Sequence, residues 1–271
     1  MTFDSKKQLK QFLAEDIGSG DITSALLPKT KITARIISRE DAVLAGIVHV
    51  KEIFKLKGCN VKIGKKDGSK IKPNQTLMTI TGDAANILTC ERTALNLLTR
   101  MSGIATQTKA MVNKIPKKTK LYATRKTAPG LRYFDKEAVE LGGGKKHRLR
   151  LDEMIMIKDN HIAIEKSILT LIKKAKKKHK KFEVEVENIQ DAVLAAREGA
   201  TIIMLDNFTP AQIRNTITEL KRLGLRKKVL LEASGGINSK NIKNFGKTEV
   251  DIISVGSITN SVKGIDMSLE I

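Results

Sequence analysis

Tryptophan is absent from this 271-residue sequence, which has only two tyrosines, seven phenylalanines and two cysteines. So few aromatic side chains argue against a protein that binds nucleic acid by stacking on its bases. Cys59 and Cys90 stand far apart, with no Cys-x-x-Cys pair and no histidine at metal-ligand spacing. The sequence therefore predicts neither a disulfide framework nor a structural zinc site, and both cysteines are expected in the core.

Long apolar runs are also missing. The apolar stretches at 42–50 and 155–157 are far shorter than the roughly 20 residues of a membrane-spanning helix. Residues 1–4 lack the basic and then apolar pattern of a secretion signal. We therefore expect a cytoplasmic protein without a membrane partner.

Acidic residues are scarce relative to basic ones: 29 Asp and Glu accompany 50 Lys and Arg, for a formal net charge of +21. Such an excess suits nucleic acid, a membrane surface or a small anionic substrate. The densest basic run, 173–181, continues the apolar spacing of Ile168, Leu171 and Ile172. It is therefore predicted to be the solvated C-terminal end of a helix. A basic nucleic-acid-binding protein stays open as an alternative, favoured by the charge alone.

Two regions differ in their hydrophobic periodicity. Residues 1–113 mix short strands, such as the period-two segment 31–37, with a long amphipathic helix that begins at Asp83. They are predicted to form a smaller α+β, sandwich-like domain. Residues 114–271 alternate short apolar strands with amphipathic helices, a pattern typical of a parallel sheet. This α/β region is predicted to be an open or incomplete TIM-type barrel, whose last residues could return to the first domain. The predicted strands are 121–124, 154–157, 182–186, 201–205, 229–231 and 252–255.

Helix starts are marked within the second region. Asn188 precedes one amphipathic segment, and Thr209 followed by Pro210 precedes another. Asparagine and threonine cap helices by accepting backbone N–H bonds, and proline suits the first helical position. Both sites are therefore predicted to begin helices.

Polar residues or glycines stand at the end of every predicted strand of the second region. In a barrel these ends converge on one mouth, where active sites lie. A single such residue could equally be a helix cap, a turn or a surface charge, but the whole series predicts a site. In chain order the residues are Arg125 and Lys126, Lys158 and His161, Glu185 and Glu187, Asp206 and Asn207, Glu232 with Ser234, Gly235 and Gly236, and Gly256 with Ser257.

The side-chain types in this series suit a magnesium-diphosphate substrate and an acidic co-substrate. Arg125, Lys126, Arg148 and Lys158 offer positive charge to a small polyanion. Glu185 and Asp206 are oxygen ligands suited to Mg²⁺ that bridges a diphosphate. The glycine-containing turns after the last two strands are expected to bind phosphate through backbone N–H groups.

Further motifs are distributed over most of the chain. They are Glu15–Thr23, Glu91–Asn96, Ser102–Thr106, Thr124–Arg132, Gly142–Arg148, Ile157–Ile162, Glu183–Glu187, Met204–Phe208 and Glu232–Asn238. In this order they closely resemble the motifs of the quinolinate phosphoribosyltransferase family, also called carboxylating nicotinate-nucleotide pyrophosphorylases.

The resemblance implies a reaction, a site and an assembly. The reaction joins quinolinate to phosphoribosyl pyrophosphate (PRPP) and releases CO₂, giving nicotinate mononucleotide for NAD biosynthesis. Quinolinate would be bound by Arg125, His147 and Arg148, with Arg92 reaching in from a partner subunit of a homodimer or a hexamer of dimers. PRPP and its Mg²⁺ would be held by Lys126, Lys158, Glu185, Asp206, Ser234, Gly235, Gly236, Gly256 and Ser257. Lys126, Lys158, Glu185 and Asp206 would be catalytic, with Glu185 and Asp206 as the metal ligands.

Three positions depart from the pattern of that family. Lys146 stands where Asn is usual, Glu249 where Gly is common and Asn260 where His is common. None of them removes an expected ligand. A nicotinate phosphoribosyltransferase, which also uses PRPP, is the alternative enzyme.

Overall fold

The structure, a computed structural model, describes residues 4–179 and 181–271. Their contacts divide them into two units: the described residues up to 109 with 127–143 and 258–271 form the first, and 110–126 with 144–257 form the second. The hydrophobic periodicity predicted that 127–143 belong to the second domain. In the structure Phe134 meets the ring of His49 at 5.0 Å, and Asp135 accepts hydrogen bonds of 2.8 and 2.9 Å from Arg100, so this segment packs within the first unit.

The secondary-structure elements are numbered in chain order. The helices are α1 (Ser5–Ile17), α2 (Ile47–Leu56), α3 (Ala84–Val112), α4 (Arg132–Leu141), α5 (Asp159–Glu165), α6 (Ile168–Lys178), α7 (Ile189–Glu198), α8 (Pro210–Arg222), α9 (Ile242–Gly246) and α10 (Ser257–Asn260). The strands are β1 (Lys31–Ser38), β2 (Ala42–Val43), β3 (Asn60–Ile63), β4 (Lys70–Ile71), β5 (Thr76–Asp83), β6 (Lys120–Ala123), β7 (Ile155–Ile157), β8 (Phe182–Val186), β9 (Ile202–Asp206), β10 (Leu230–Ser234), β11 (Ile252–Val255) and β12 (Met267–Glu270).

The first unit is built on an antiparallel sheet in the order β12-β1-β5-β3. The alternation predicted for 31–37 is present as far as Ile36, because Ala34 and Ile36 are fully buried while Thr33 and Arg35 are exposed. Ile37 is buried as well. Strand β12 pairs with β1, so the end of the described chain lies in this sheet. A short β2-β4 pair completes the strands of this unit among the described residues.

The second unit is a six-stranded parallel sheet in the order β6-β11-β10-β9-β8-β7. Strand β6, the first strand of this unit along the chain, pairs with β11, its last strand. This pairing is the cyclic order of a barrel. Within residues 4–179 and 181–271 no strand pairing joins β6 to β7, so the barrel is open at that seam. This confirms the predicted open or incomplete barrel of α/β class, preceded by a sheet domain.

A loop segment occupies the free edge of β6. Lys145 forms a parallel bridge with Tyr122, its N–H donates to Leu121 O at 2.8 Å, and its C=O accepts from Ala123 N–H at 2.9 Å. Backbone groups at a sheet edge need partners when they are buried. The segment after α4 therefore takes a strand position at the seam and brings the residues that follow it to the sheet.

Side chains alternate between the two faces of the parallel sheet. Phe182, Val184 and Val186 in β8 are buried apolar residues, and helices α6 and α7 pack against this part of the sheet. Glu183 and Glu185 point to the opposite face, because successive side chains in a strand point to opposite sides. The inner face of the sheet therefore carries charged and polar side chains.

Local sequence predictions are confirmed in several places. Asn188 accepts a 2.8 Å bond from Asp191 N–H at the start of α7, and Thr209 caps α8, where Pro210 is the first residue. The lysines of α6 are exposed at its C-terminal end, although position 180 of the predicted run lies outside the described residues. Both cysteines are buried. In the described part of the chain no helix is both long and apolar enough to cross a bilayer.

Candidate active site

A cleft of about 350 Å³ opens at the carboxyl ends of the parallel strands, within the second unit. Its walls come from every strand of the sheet, as the sequence analysis predicted. The lining residues are Ala123, Thr124, Arg125, Lys126, His147, Arg148, Met156, Lys158, Glu185, Met204, Asp206, Glu232, Ser234 and Ser254.

The segment after β6 supplies two cations. Arg125 is half-buried and Lys126 is exposed, and the Lys126 N–H donates to Thr124 Oγ1 at 3.1 Å. A Cβ added to Gly256 would lie 3.0 Å from Lys126 Cδ, a tight contact. Glycine after β11 therefore leaves room for the Lys126 side chain beside the cleft.

Lys158 and Glu185 form an ion pair across the ends of β7 and β8. The Lys158 N–H also donates to His161 Nδ1 at 3.0 Å, which fixes the turn into α5. The lysine side chain is 38% exposed and the glutamate side chain 11%, so the pair faces the cleft from its rim. A cation that binds Glu185 must share it with Lys158 or displace that lysine.

Asp206 ends β9 beside an asparagine in an unusual conformation. Asn207 has φ 56°, in the left-handed region, and its Nδ2 donates to Asp206 Oδ2 at 2.7 Å. The left-handed conformation costs a non-glycine residue roughly 1–2 kcal/mol, although asparagine tolerates it better than most. The geometry leaves Oδ1 of Asp206 without a bond from Asn207.

His147 and Arg148 follow the loop segment at the seam. His147 has φ 53°, and its Nδ1 accepts a 2.8 Å bond from the Arg148 N–H. The Arg148 guanidinium donates to Met154 O at 3.0 Å, just before β7. Burial first, and then the nearby charge of Arg125, lower the pKa of Arg148. Arg125 and Arg148 are thus half-buried near each other, and their positive charges favour an anion bound between them.

Two carboxylates lie beneath His147: Glu232, which the sequence placed at a strand end without a role in binding, and Glu183, which was not predicted to belong to the site. Glu183 Oε2 is 3.2 Å and Glu232 Oε2 is 3.4 Å from His147 Nε2, and both glutamates are fully buried. The Ser254 hydroxyl donates to Glu232 Oε1 at 2.5 Å, and the Tyr122 ring meets the His147 ring edge-on at 5.6 Å. We call His147, Glu183 and Glu232 the buried cluster.

Burial and mutual interactions shift the pKa values of the side chains in the buried cluster. Burial, and then the charge of Glu232, raise the pKa of Glu183 to about 7. Burial lowers the pKa of His147 and the charges of Glu183 and Glu232 raise it, but Nδ1 cannot take up a proton while it accepts the Arg148 N–H bond, so the geometry keeps the ring neutral. Since Nδ1 accepts from Arg148 N–H, the proton is held on the Nε2 side, between the ring and the carboxylates.

Metal ligands could in principle come from two places. The ligand atoms of the buried cluster lie within 4.8 Å of one another, but a proton on His147 Nε2 blocks the nitrogen that a metal would need. Glu185 and Asp206 instead line the open cleft, where a hard cation could keep water ligands. Their donor atoms fit Mg²⁺ better than those of the cluster.

The remaining predicted site residues do not line the cleft. Gly235, Gly236, Gly256 and Ser257 follow the ends of β10 and β11, and the Ser257 Oγ is buried without a hydrogen-bond partner. Arg92 belongs to the first unit and is exposed on α3. Its predicted place in a partner's site stays a prediction.

Of the three departures, Glu249 has a conformational consequence. Glu249 has φ 69°, which accounts for the glycine expected there, and its carboxylate pairs with Lys118 at 3.2 Å and Lys221 at 3.4 Å. Asn260 ends α10 and is exposed. Lys146 lies one residue before His147, and nothing in the structure explains a lysine there.

A sequence signal for the inward direction of Glu183 and Glu232 does exist. Glu183 and Glu185, like Glu232 and Ser234, are two residues apart in one strand and therefore share a face. A charged residue two positions before a predicted ligand in a buried strand points to the same face as that ligand. Such a residue therefore indicates a polar inner layer of the barrel.

Comparisons with known proteins cover both units. Residues 104–270 match the quinolinate phosphoribosyl transferase C-terminal domain, and residues 21–102 match the N-terminal domain of the same family. The chain is 44% identical over 271 residues to a probable carboxylating nicotinate-nucleotide pyrophosphorylase of Methanothermobacter thermautotrophicus, covering 97% of each protein. A protein of the same name from Archaeoglobus fulgidus is 46% identical over 255 residues, covering 93% of this chain and 98% of that protein. The solved nicotinate-nucleotide pyrophosphorylase of Francisella tularensis superposes with a TM-score of 0.91 at 39% identity, covering 98% of this chain and 95% of that one.

Proposed function

The chain belongs to the quinolinate phosphoribosyltransferase family, and we propose that it transfers the phosphoribosyl group of PRPP to quinolinate with loss of CO₂. The products are nicotinate mononucleotide, pyrophosphate and CO₂, a step of NAD biosynthesis. The observation that carries the proposal is the cleft in which cations and the carboxylates of Glu185 and Asp206 meet at the strand ends. Because both substrates are charged small molecules, we place the reaction in the cytoplasm.

The acid substrate is assigned to the side of the cleft near the seam. Arg125 and Arg148 lie close enough for the charge of one to lower the pKa of the other. Quinolinate has two adjacent carboxylates, and guanidinium groups bind carboxylates through paired hydrogen bonds. Binding the diacid therefore relieves the repulsion between the two arginines.

The diphosphate is assigned to Lys126, Lys158, Glu185 and Asp206, which also line the cleft. Glu185 and Asp206 would hold Mg²⁺, which when bound neutralises charge on the diphosphate. Lys126 and Lys158 then stabilise the negative charge that develops on the leaving pyrophosphate. The glycine turns after β10 and β11 offer backbone N–H groups to the 5′-phosphate.

The reaction needs no covalent enzyme intermediate. The bond from the anomeric carbon to the pyrophosphate oxygen breaks, its electron pair leaves on pyrophosphate, and the pyridine nitrogen bonds to that carbon. The resulting pyridinium accepts electron density as the bond from C2 to its carboxylate breaks and CO₂ departs. The pair left on C2 then takes up a proton.

A dimer that shares Arg92 between subunits is the assembly we favour. Arg92 is exposed on α3, one turn after Thr89, which donates a 3.0 Å bond to Asp21. Beside Asp21, Ile22 and Leu26 are 83% and 84% exposed. Large apolar side chains next to an exposed arginine suit a surface that a second copy covers.

One assay tests the proposal. Purified protein is incubated with quinolinate, PRPP and Mg²⁺, and nicotinate mononucleotide, pyrophosphate and CO₂ are measured. Equal amounts of the three products are expected. Consumption of nicotinate in place of quinolinate would contradict the assignment.

A further inference from the structure

Glu183 and Glu232 are fully buried next to each other and have no role in the chemistry above. Two carboxylates in a dry site are costly unless they have partners. We propose that Glu183 and Glu232 are positioning residues, which hold the His147 ring and through it set Arg148 for binding of the acid substrate. The inference rests on the proposed function and deepens it.

The tautomer of His147 sets the direction of its interactions. Nδ1 accepts from Arg148 N–H at 2.8 Å, so the ring proton is on Nε2. Nε2 lies between Glu183 Oε2 and Glu232 Oε2, at 3.2 and 3.4 Å, without being aligned on either oxygen. The two carboxylates therefore hold the ring from the side opposite to Arg148.

The surroundings keep the carboxylates in place. The Ser254 hydroxyl donates to Oε1 of Glu232, which leaves Oε2 for the histidine. Glu183 is the second residue of β8, a largely buried strand. Tyr122 packs edge-on against the His147 ring from β6. The ring is thus fixed by groups from four strands on one face of the sheet.

The ring in turn fixes the loop at the seam. His147 has φ 53°, a conformation that a residue without such anchoring would leave. Its Nδ1 is bonded to the backbone N–H of Arg148, whose guanidinium then reaches Met154 O and lines the cleft. Without the two carboxylates the buried Nε2–H of His147 would lose the negative charges that face it, so the loop would shift and Arg148 with it.

A positioning role differs from a purely structural one in its expected consequences. Replacing two buried carboxylates by neutral groups of equal size should leave the fold as stable as before, or more stable, because their burial is unfavourable. Binding of the acid should nevertheless weaken. Binding of PRPP should change little, since its predicted ligands are not bonded to the cluster.

The experiment uses Glu183→Gln, Glu232→Gln and the double variant of the full chain. Glu198→Gln is the control, which removes one negative charge from α7 of the same unit. We expect KM for quinolinate to rise on the order of 10- to 100-fold in the double variant, with KM for PRPP, kcat at saturating quinolinate and Tm close to those of the control. A double variant whose KM for quinolinate matches that of Glu198→Gln would overturn the inference.

A spectroscopic measurement keeps the inference testable if a variant does not fold. In wild-type protein labelled with ¹⁵N-histidine, the His147 ring should show a protonated Nε2 and an unprotonated, hydrogen-bonded Nδ1, with the signal assigned by His147→Gln. Protonation on Nδ1 alone would overturn the inference. Failure of the wild-type protein to use quinolinate would instead contradict the proposed function, so the two failures are distinguishable.

Discussion

The side-chain amide of Asn207 donates a 2.7 Å hydrogen bond to Oδ2 of Asp206, the residue before it. The bond is possible because Asn207 is left-handed and its N–H is anchored to Ser234 O at 3.0 Å. One carboxylate oxygen of Asp206, a residue that lines the cleft, is thereby held by the Asn207 amide. Groups that orient a metal ligand in this way usually affect metal affinity strongly.

Asn207→Gly should therefore weaken the response to Mg²⁺. Glycine keeps the left-handed backbone but removes the amide, so the Asp206 carboxylate is free to rotate. The Mg²⁺ concentration for half-maximal activity should rise about tenfold or more, while Tm changes little. Calorimetric binding of Mg²⁺ with PRPP provides a second measurement, and unchanged binding would contradict the orienting role.

Gly235→Ala should produce a similar defect, with Gly236→Ala as its matched control. Both glycines have positive φ, so alanine strains each backbone by roughly 1–2 kcal/mol. A Cβ at Gly235 would lie 2.2 Å from Asn207 Oδ1, whereas a Cβ at Gly236 meets nothing within 4 Å. Only Gly235→Ala should shift the Mg²⁺ dependence, and equal shifts in the two variants would point to backbone strain alone.

Selectivity for the diacid is expected to be steep. Arg125 and Arg148 are half-buried and offer more donors than one carboxylate can use, and unsatisfied buried donors are costly. A site built for a charged group can discriminate by about 10⁴-fold against an analogue that lacks it. Comparable kcat/KM values for nicotinate and quinolinate would favour the nicotinate-enzyme alternative.

Stability should fall as pH rises through the range in which the buried cluster titrates. The pKa of Glu183 is raised to about 7, above its ordinary value of 4.5. Between pH 4.5 and about 7 Glu183 thus keeps a proton in the folded protein that it has lost in the unfolded chain, so the stability that it contributes falls as pH rises through this range. The slope of Tm against pH should be flatter in the double Glu183→Gln, Glu232→Gln variant than in Glu198→Gln.

Glu249→Gly tests the cost of the left-handed glutamate. Glycine relieves roughly 1–2 kcal/mol of strain, but it loses the exposed pairs with Lys118 and Lys221, worth about 0.2–1 kcal/mol each, and adds backbone freedom to the unfolded chain. Salt screens the ion pairs and leaves the strain unchanged. The unfolding free energy of the variant relative to wild type should therefore increase with salt concentration, which urea titrations at two ionic strengths would measure.

Strand and helix positions in the second unit were largely predictable, because buried strands and capped helices have local signals. Strands β8 and β11 have the bounds predicted for them, whereas β10 extends to Ser234 beyond the predicted 229–231. The polar residues Glu232 and Ser234 were interpreted as lying after the strand. In the structure they belong to it, since the inner face of this barrel is polar.

Features that depend on distant pairing were not predictable. The seam between β6 and β7 and the bridge of Lys145 to Tyr122 depend on which strand edges remain unpaired, and no local pattern records this. The contact between His147 and the two glutamates likewise joins three separate parts of the chain. The family motifs contain all three residues but do not indicate their contact.

The ion pair between Lys158 and Glu185 has a consequence for how ions compete with substrate. Each of these side chains already has an oppositely charged neighbour before a ligand binds. Binding of the magnesium-diphosphate therefore replaces one charged partner by another and releases few bound counterions into solution. Exchange of this kind has a shallow dependence on ionic strength. Although the net charge is +21, affinity for PRPP should accordingly change far less between dilute and physiological salt than the overall charge suggests.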